Sequence, residues 1–210
     1  MAKRWRCGLG CALTMRLRDL LLGLCLVAPQ AWADMLADEG LPPHERCALC
    51  HGLYGDAYRD KFPKLAAQRP AYIERQINAF LSGARSNDGG QMVAVVTEIA
   101  PEHIPQVAAW FAAQDPPPPA APPEDRSGEI LYVTSGCLDC HDETAAGKPE
   151  MPYLSAQHAA YLAKQMREFR DGARPDRPKE RMRETLRPLS DTQIAAIAAY
   201  LASRERGSTP

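Results

Sequence analysis

The chain has 210 residues, enough for one or two small domains, and a formal net charge of −1. Its hydrophobic content of 45% and charged content of 24% are those of an ordinary soluble globular protein. The near-neutral charge argues against a general nucleic-acid-binding protein.

The amino terminus has the three-part layout of a secretory signal peptide. Basic residues within positions 3–18 precede a short apolar core at 20–28, and the small residues Ala31 and Ala33 suit a signal peptidase. The whole uncharged stretch is shorter than the roughly 20 residues that a membrane-spanning helix needs. We therefore predict a signal peptide over residues 1–33, cleaved after Ala33, and a periplasmic location.

The rest of the chain contains two copies of one sequence unit. The motif CALCH at 47–51 recurs as CLDCH at 137–141, 90 positions later, and further matching residues follow both copies in the same order. This repetition indicates an internal duplication. The residues that match after the two motifs are Pro63 and Pro152, Leu65 and Leu154, Gln68 and Gln157, Tyr72 and Tyr161, Gln76 and Gln165, Phe80 and Phe169, Gly83 and Gly172, and Arg85 and Arg174.

A proline-rich stretch separates the two copies. DPPPPAAPPED, residues 115–125, favours an extended polyproline conformation and a semi-rigid spacer. We predict a first domain over 34–114, a linker over 115–125 and a second domain over 126–210.

Each copy has a helical pattern. Tyr72, Ile73, Gln76, Ile77 and Phe80 fall on one side of a predicted helix, and Gly83 suits its end. In the last helix of the second copy, Ser190 is the predicted N-cap. Because Pro105 would break a helix interior, the last helix of the first copy is predicted to begin at or just before it. No alternating pattern favours a strand, which predicts an all-α fold.

The motif Cys-x-x-Cys-His is typical of covalent haem attachment. Its cysteines form thioethers with the haem vinyl groups, and the adjacent histidine can bind the iron. A zinc site usually has its two Cys pairs about 15–20 residues apart, and a thioredoxin-like redox pair needs an α/β pattern. Neither condition is met, so we predict two covalently bound haem c groups, held by Cys47 and Cys50 and by Cys137 and Cys140, with His51 and His141 as iron ligands.

Met92 and Met182 are the predicted sixth ligands. They are the methionines that recur at the same place in both copies, shortly before the last helix. Methionine opposite histidine raises the haem potential and suits electron transfer. The other histidines, His44, His103 and His158, have no histidine counterpart in the other copy and are predicted to be packing or surface residues.

Pro63 and Pro152 lie downstream of the two motifs in matching positions. A ligating histidine needs an acceptor for its other ring nitrogen, and the backbone carbonyl of each proline is a candidate. Each proline could equally be a turn residue without that contact.

The order CALCHG, FPKLAAQ, YIERQINAF and GARSND, repeated as CLDCH, MPYLSAQ, YLAKQMREF and GARPD, resembles the dihaem cytochrome c4 family. The resemblance covers nearly all of the chain after the signal peptide. It implies two tandem cytochrome c domains related by approximate two-fold symmetry, with their haem edges close together. This chain departs from the family pattern in Asp142, where glycine is usual, in LAAQ for LAGQ, and in its proline-rich linker.

The resemblance also implies a function. It predicts an electron-transfer protein, not an enzyme, that shuttles electrons between redox proteins in the periplasm, with a terminal oxidase as a common acceptor. The alternatives are the cytochrome subunit of a larger dehydrogenase and a haem enzyme such as a peroxidase. Basic residues outnumber acidic ones over 167–187, around Met182, which predicts a basic docking surface for an acidic redox partner, unless the segment is simply a solvated mixed-charge face.

Overall fold

The structure, a computed structural model, describes residues 40–146, 151–175 and 179–206. These residues form α-helices and 3-10 helices, and none of them lies in a strand, which confirms the all-α prediction. No helix among them is long and apolar enough to cross a membrane. The predicted signal peptide lies outside the described residues.

The first half, residues 42–114, consists of four α-helices and two 3-10 helices. Its elements are a 3-10 helix (Pro43–Cys47), α1 (Ala48–His51), α2 (Pro70–Leu81), α3 (Gln91–Val96), a 3-10 helix (Pro101–His103) and α4 (Ile104–Ala112). Pro105 is the second residue of α4, where the missing N–H needs no partner, so the predicted helix start is confirmed. Gly83, with φ of 71°, follows the end of α2 as predicted.

The described residues of the second half, 126–206, repeat the order of the four α-helices and add a further α-helix before the motif. Its elements are α5 (Ser127–Thr134), α6 (Leu138–His141), α7 (Ala159–Asp171), α8 (Lys179–Leu186) and α9 (Asp191–Ala202). Ser190 caps α9 as predicted: its hydroxyl accepts the Gln193 N–H, and the Gln193 side chain accepts the Ser190 N–H.

Each half buries its own hydrophobic core. In the first half the apolar sides of α2, α3 and α4 meet around Ile77, Val96 and Phe111. In the second half α5, α7, α8 and α9 meet around Tyr132, Phe169 and Ile197. Removal of these side chains from water is the main favourable term that holds the helices together.

Gly128 permits the close crossing of α5 and α9. A Cβ atom on Gly128 would lie 2.1 Å from the carbonyl oxygen of Ala196, closer than any real contact. The absence of a side chain therefore allows α5 to approach the α9 backbone directly. Tyr132, on the same helix, then packs at 5.7 Å from the Tyr200 ring.

The two halves meet through reciprocal hydrogen bonds. The Gln68 side chain accepts the Tyr153 N–H at 2.8 Å and donates to the Tyr153 carbonyl at 3.0 Å. The Gln157 side chain accepts the Lys64 N–H at 2.8 Å and donates to the Lys64 carbonyl at 2.9 Å. Because the residues of one bond pair match those of the other in the repeat, the junction has approximate two-fold symmetry.

The proline-rich stretch crosses this assembly without forming a helix or strand. The N–H of Ala120 donates to the carbonyl of Ala202, at the end of α9, at 2.9 Å, and Pro117 is buried. The stretch is therefore attached to the second half as well as joining it to the first. The domain boundaries at 114 and 126 remain a prediction.

Candidate haem sites

Both Cys-x-x-Cys-His motifs form one helical turn. In the first, Cys47 ends a 3-10 helix and α1 carries Cys50 and His51. In the second, Cys137 precedes α6, which carries Cys140 and His141. The four cysteines have free thiols, and burial raises the pKa of Cys47 and of Cys137 to about 11. One turn places both cysteines and the histidine of each motif along the same short segment, as covalent haem attachment requires.

His51 is buried and oriented by the backbone. Its Nδ1 donates to the Pro63 carbonyl at 2.9 Å, which leaves the Nε2 lone pair available for a metal. Burial lowers the pKa of His51, and the nearby Arg85 charge lowers it further against the opposing effect of the Pro63 bond. The imidazole therefore remains neutral, the form that binds iron.

His141 is equally buried but lacks this orienting bond. Its Nδ1 has no hydrogen-bond partner among the described residues, so the candidate contact with the Pro152 carbonyl is not formed. The loop after this motif is held differently, because the Tyr132 hydroxyl donates to the Asp142 carbonyl at 2.7 Å. Burial lowers the pKa of His141 to about 4, so this imidazole is also neutral at pH 7.

Met92 and Met182 occupy matching helices, α3 and α8, and both pack against the core of their half. The start of α3 is fixed by Asp88, whose carboxylate accepts the N–H groups of Met92 and of Gly90. Asp88 thus anchors the backbone that carries Met92.

All ten predicted site residues line one continuous cavity of about 480 Å³. Its remaining walls are mainly apolar and come from both halves, with Ile77, Phe80 and Val96 in the first and Leu162, Phe169 and Leu186 in the second. His44, His103 and His158 are not among the described residues that line it. His44 instead stacks on Trp110 with ring centroids 3.8 Å apart.

Two buried arginines face this cavity where the halves meet. Arg85 donates to Gln76, to Gln165 at 3.0 Å and to the Tyr161 hydroxyl at 3.1 Å. Arg174 donates to Gln165 at 2.8 Å and to Gln76 at 3.0 Å, so each glutamine oxygen accepts from both arginines. The hydrogen bonds of Arg85 to described residues all go to neutral groups, although only 5% of Arg85 is exposed.

This combination of walls and charges fits haem. Haem c joins a large apolar ring system to two carboxylates, and the cavity offers apolar walls together with buried guanidinium groups. Anionic groups are favoured beside a buried cation such as Arg85, whose hydrogen bonds to described residues go to neutral groups. The thiols, neutral imidazoles and thioethers supply the covalent and iron-binding groups.

Several residues that shape the site escaped sequence reasoning. The repeat marks Gln76, Gln165, Arg85 and Arg174 as matched positions, but it does not reveal that they cross between the halves. Tyr132 and Arg206 occur in one copy only, so the repeat gives no signal for them. Asp88 has no such signal either.

Known proteins are similar to this chain over most of its length. The cytochrome c family model matches residues 126–205. A cytochrome c4 from Pseudomonas aeruginosa is 32% identical over 166 residues, covering 74% of this chain and 82% of that protein. The structure of reduced recombinant cytochrome c4 from Pseudomonas stutzeri superposes with a TM-score of 0.67 at 28% identity, covering 84% of this chain and all of that one.

A protein described as a thiosulfate dehydrogenase electron acceptor, from Stutzerimonas stutzeri, is also similar. It is 31% identical over 177 residues, covering 77% of this chain and 80% of that protein. These likenesses confirm the predicted haems and the predicted electron-transfer role. The chain therefore belongs to the cytochrome c4 family and is a dihaem electron carrier with two cytochrome c domains, not an enzyme.

Proposed function

We propose that this chain is exported, loses residues 1–33 and shuttles electrons between redox proteins in the periplasm, with a terminal oxidase as one acceptor. The observation that carries the proposal is that both sets of predicted haem-binding residues line one cavity. The signal-peptide pattern at the amino terminus supports the periplasmic location, and it occurs in the same chain as the two Cys-x-x-Cys-His motifs.

In the proposed assignment, each half holds one haem. Cys47 and Cys50 would hold the first haem through thioethers, and Cys137 and Cys140 would hold the second. His51 and Met92 would bind the iron in the first half, and His141 and Met182 would bind it in the second. A haem ligated by histidine and methionine supplies a one-electron couple of raised potential with no open iron position.

The protein residues prepare this couple. Burial keeps both imidazoles neutral, and the Pro63 carbonyl fixes the tautomer and plane of His51. The apolar walls of the cavity would limit water around a bound haem, and the guanidinium groups of Arg85 and Arg174 would supply positive charge for its carboxylates. A site already arranged in this way has little to reorganise when an electron arrives.

A second candidate function is that of the dedicated acceptor or cytochrome subunit of a dehydrogenase. The similarity to a thiosulfate dehydrogenase electron acceptor favours it. A transient carrier and a stable subunit differ in the lifetime of their complexes, not in haem chemistry. Copurification of this chain with a dehydrogenase through size exclusion supports the subunit role, and its isolation alone supports the carrier.

Visible spectroscopy tests the proposal directly. The protein is expressed with a haem-attachment system, and spectra of both oxidation states are combined with a pyridine haemochrome count. We expect two haems per chain and the weak absorption band of methionine bound to ferric iron. Two haems without that band would overturn the ligand assignment, and periplasmic fractions without the protein would overturn the location.

A further inference from the structure

Arg206 lies four residues beyond the end of α9 and is nevertheless buried, with 5% of its surface exposed. Burial lowers its pKa to about 10, against the opposing effects of Tyr153 and Asp56. Removal of a guanidinium group from water is costly, so its contacts must offset that cost. Arg204, two residues earlier, is exposed and stacks over the Tyr200 ring.

Arg206 bonds both halves at once. Its Nε donates to the Ser155 carbonyl at 3.0 Å, and its Nη1 donates to the Ala66 carbonyl at 2.7 Å. Ala66 and Ser155 are matched positions in the repeat, 89 residues apart. The planar guanidinium fork therefore spans the junction between equivalent points, a geometry that the single ammonium of lysine cannot reproduce.

Both carbonyls belong to segments that are fixed within their own half. The residue after Ala66 donates its N–H to the Phe111 carbonyl at 2.9 Å, and the residue after Ser155 donates its N–H to the Leu201 carbonyl at 3.3 Å. Phe111 and Leu201 are core residues of α4 and α9. A bond to Ala66 or to Ser155 is therefore a bond to the core of that half.

The contact has no duplicate. The position that matches Arg206 in the first half is Pro116, in the proline-rich stretch, and proline has neither a side-chain donor nor a backbone N–H. The glutamine and arginine contacts at the junction occur in reciprocal pairs, whereas Arg206 acts alone between equivalent points. Its removal therefore cannot be compensated by a symmetry-related contact.

We propose that Arg206 is a positioning residue: it holds the two haem-bearing halves in one relative orientation and thereby sets the rate of electron transfer between the haems. The inference rests on the proposed haem assignment. The step is the passage of one electron from the ferrous iron of one half to the ferric iron of the other, with no bond made or broken. Because transfer depends on distance and orientation, a looser junction slows it.

The first test measures opening of the junction in the two-haem protein. The amides of Lys64 and Tyr153 donate across the junction, so their hydrogen exchange reports its opening, whereas the amides of Ile77 and Ile197 report the interior of each half. For Arg206→Ala we expect exchange about 10- to 100-fold faster at Lys64 and Tyr153, from the loss of charge-assisted bonds, with Ile77 and Ile197 unchanged. Unchanged exchange at the junction, or an equal increase at all four amides, overturns the proposal.

The second test measures electron transfer between the haems after rapid reduction of one of them. We expect Arg206→Ala to slow this step by about tenfold, Arg206→Lys to recover only part of the rate, and added guanidinium at a non-denaturing concentration to restore the Arg206→Ala rate. Arg204→Ala is the matched control and should leave the rate unchanged. A looser junction with an unchanged rate would overturn the positioning role.

Two further measurements separate this inference from the proposed function. Haem content and the methionine band are recorded for every variant, and a chain without two such haems contradicts the proposed function before Arg206 is tested. If Arg206→Ala does not fold, Arg206→Lys carries both tests, since it keeps the charge and most of the side-chain volume. If Arg206→Lys shows wild-type hydrogen exchange at the junction and a wild-type electron-transfer rate, the inference that the guanidinium group is required is overturned.

Discussion

The two halves hold equivalent motifs in place by different means. In the first half, His51 donates to the Pro63 carbonyl. The backbone just after the first motif is also held by Trp110, whose indole Nε1 donates to the Leu53 carbonyl at 3.2 Å. After the second, Tyr132 holds the Asp142 carbonyl. The comparison teaches that the duplicated sequence specifies which groups reach the cavity, whereas the groups that brace them can be replaced locally.

The backbone after each motif shows the same contrast. Gly52 and Asp142 both have positive φ, of 78° and 54°, and a Cβ on Gly52 would lie 2.8 Å from the Asp56 carbonyl oxygen. The second half tolerates a side chain there because the Asp142 carboxylate accepts the Thr144 N–H at 2.8 Å and the Ala146 N–H at 3.2 Å. These local bonds offset the strain of a left-handed conformation at a residue other than glycine.

The largest effect should come from removing one pair of cysteines. Cys47→Ala with Cys50→Ala, and separately Cys137→Ala with Cys140→Ala, should each reduce the haem count from two per chain to one. The reason is that each half supplies its own thioethers. A pyridine haemochrome assay and intact mass measure the count, and loss of both haems from either variant would show that the halves do not assemble independently.

Replacement of one axial methionine should change one haem only. Met92→His and Met182→His should each lower the potential of one haem, because a histidine–methionine pair has a higher potential than two histidines. A redox titration followed by visible absorbance measures both potentials. Met166→Leu is the control, since Met166 is a buried core methionine of α7 without a proposed ligand role; loss of the methionine band in that variant would contradict the assignment.

Gly128→Ala should destabilise the second half alone. The added Cβ would collide with the Ala196 carbonyl and force α5 away from α9, at a cost of about 1–3 kcal/mol, typical of overpacking. Thermal unfolding of the two-haem protein measures the loss. Ser127→Ala, an exposed change on the same helix, should have little effect, and equal stabilities for the two variants would argue against close helix packing.

The smallest effects should come from the two aromatic anchors. Tyr132→Phe removes the hydroxyl bond to Asp142 at a cost of about 1 kcal/mol, whereas Trp110→Phe removes the indole bond to Leu53 and also reduces the ring that stacks on His44, at a somewhat larger cost. Denaturant unfolding measures the loss, with Tyr58→Phe, at a side chain that is 98% exposed, as the control. We also expect Tyr132→Phe to perturb the spectrum of the second haem only, and an equal change at both haems would contradict separate anchoring.

Sequence reasoning succeeded where the repeat or local chemistry carried the signal. The duplicated motifs, the start of α4 at Pro105 and the capping box at Ser190 follow from local rules. Of the two readings left open for Pro152, the structure favours the one without a contact to the histidine, although the Pro63 contact forms, because a shared position in the repeat does not guarantee a shared backbone path.

Long-range pairing was also beyond the sequence. The basic surface expected over 167–187 is partly neutralised, since Arg181 pairs with Asp139 and Arg170 with Asp191, each at 2.8 Å. Such exposed pairs contribute little to stability, but they reduce the positive field that a partner would encounter. Spacing alone does not reveal partners brought together by the fold.

The reciprocal glutamine bonds have a consequence for how such a molecule assembles. Across the junction, the hydrogen bonds of Gln68 and Gln157 to described residues all go to main-chain groups of the opposite half, so this recognition does not depend on the side chains of the residues they bind. A surface of this kind is self-complementary, because each half carries both the glutamine side chain and the main-chain groups that the other half's glutamine binds. Two copies of one half, or halves exchanged between two chains, would meet the same hydrogen-bonding requirements as an isologous dimer or a domain-swapped pair. Because the two halves belong to one covalent chain, their association is intramolecular and does not depend on protein concentration.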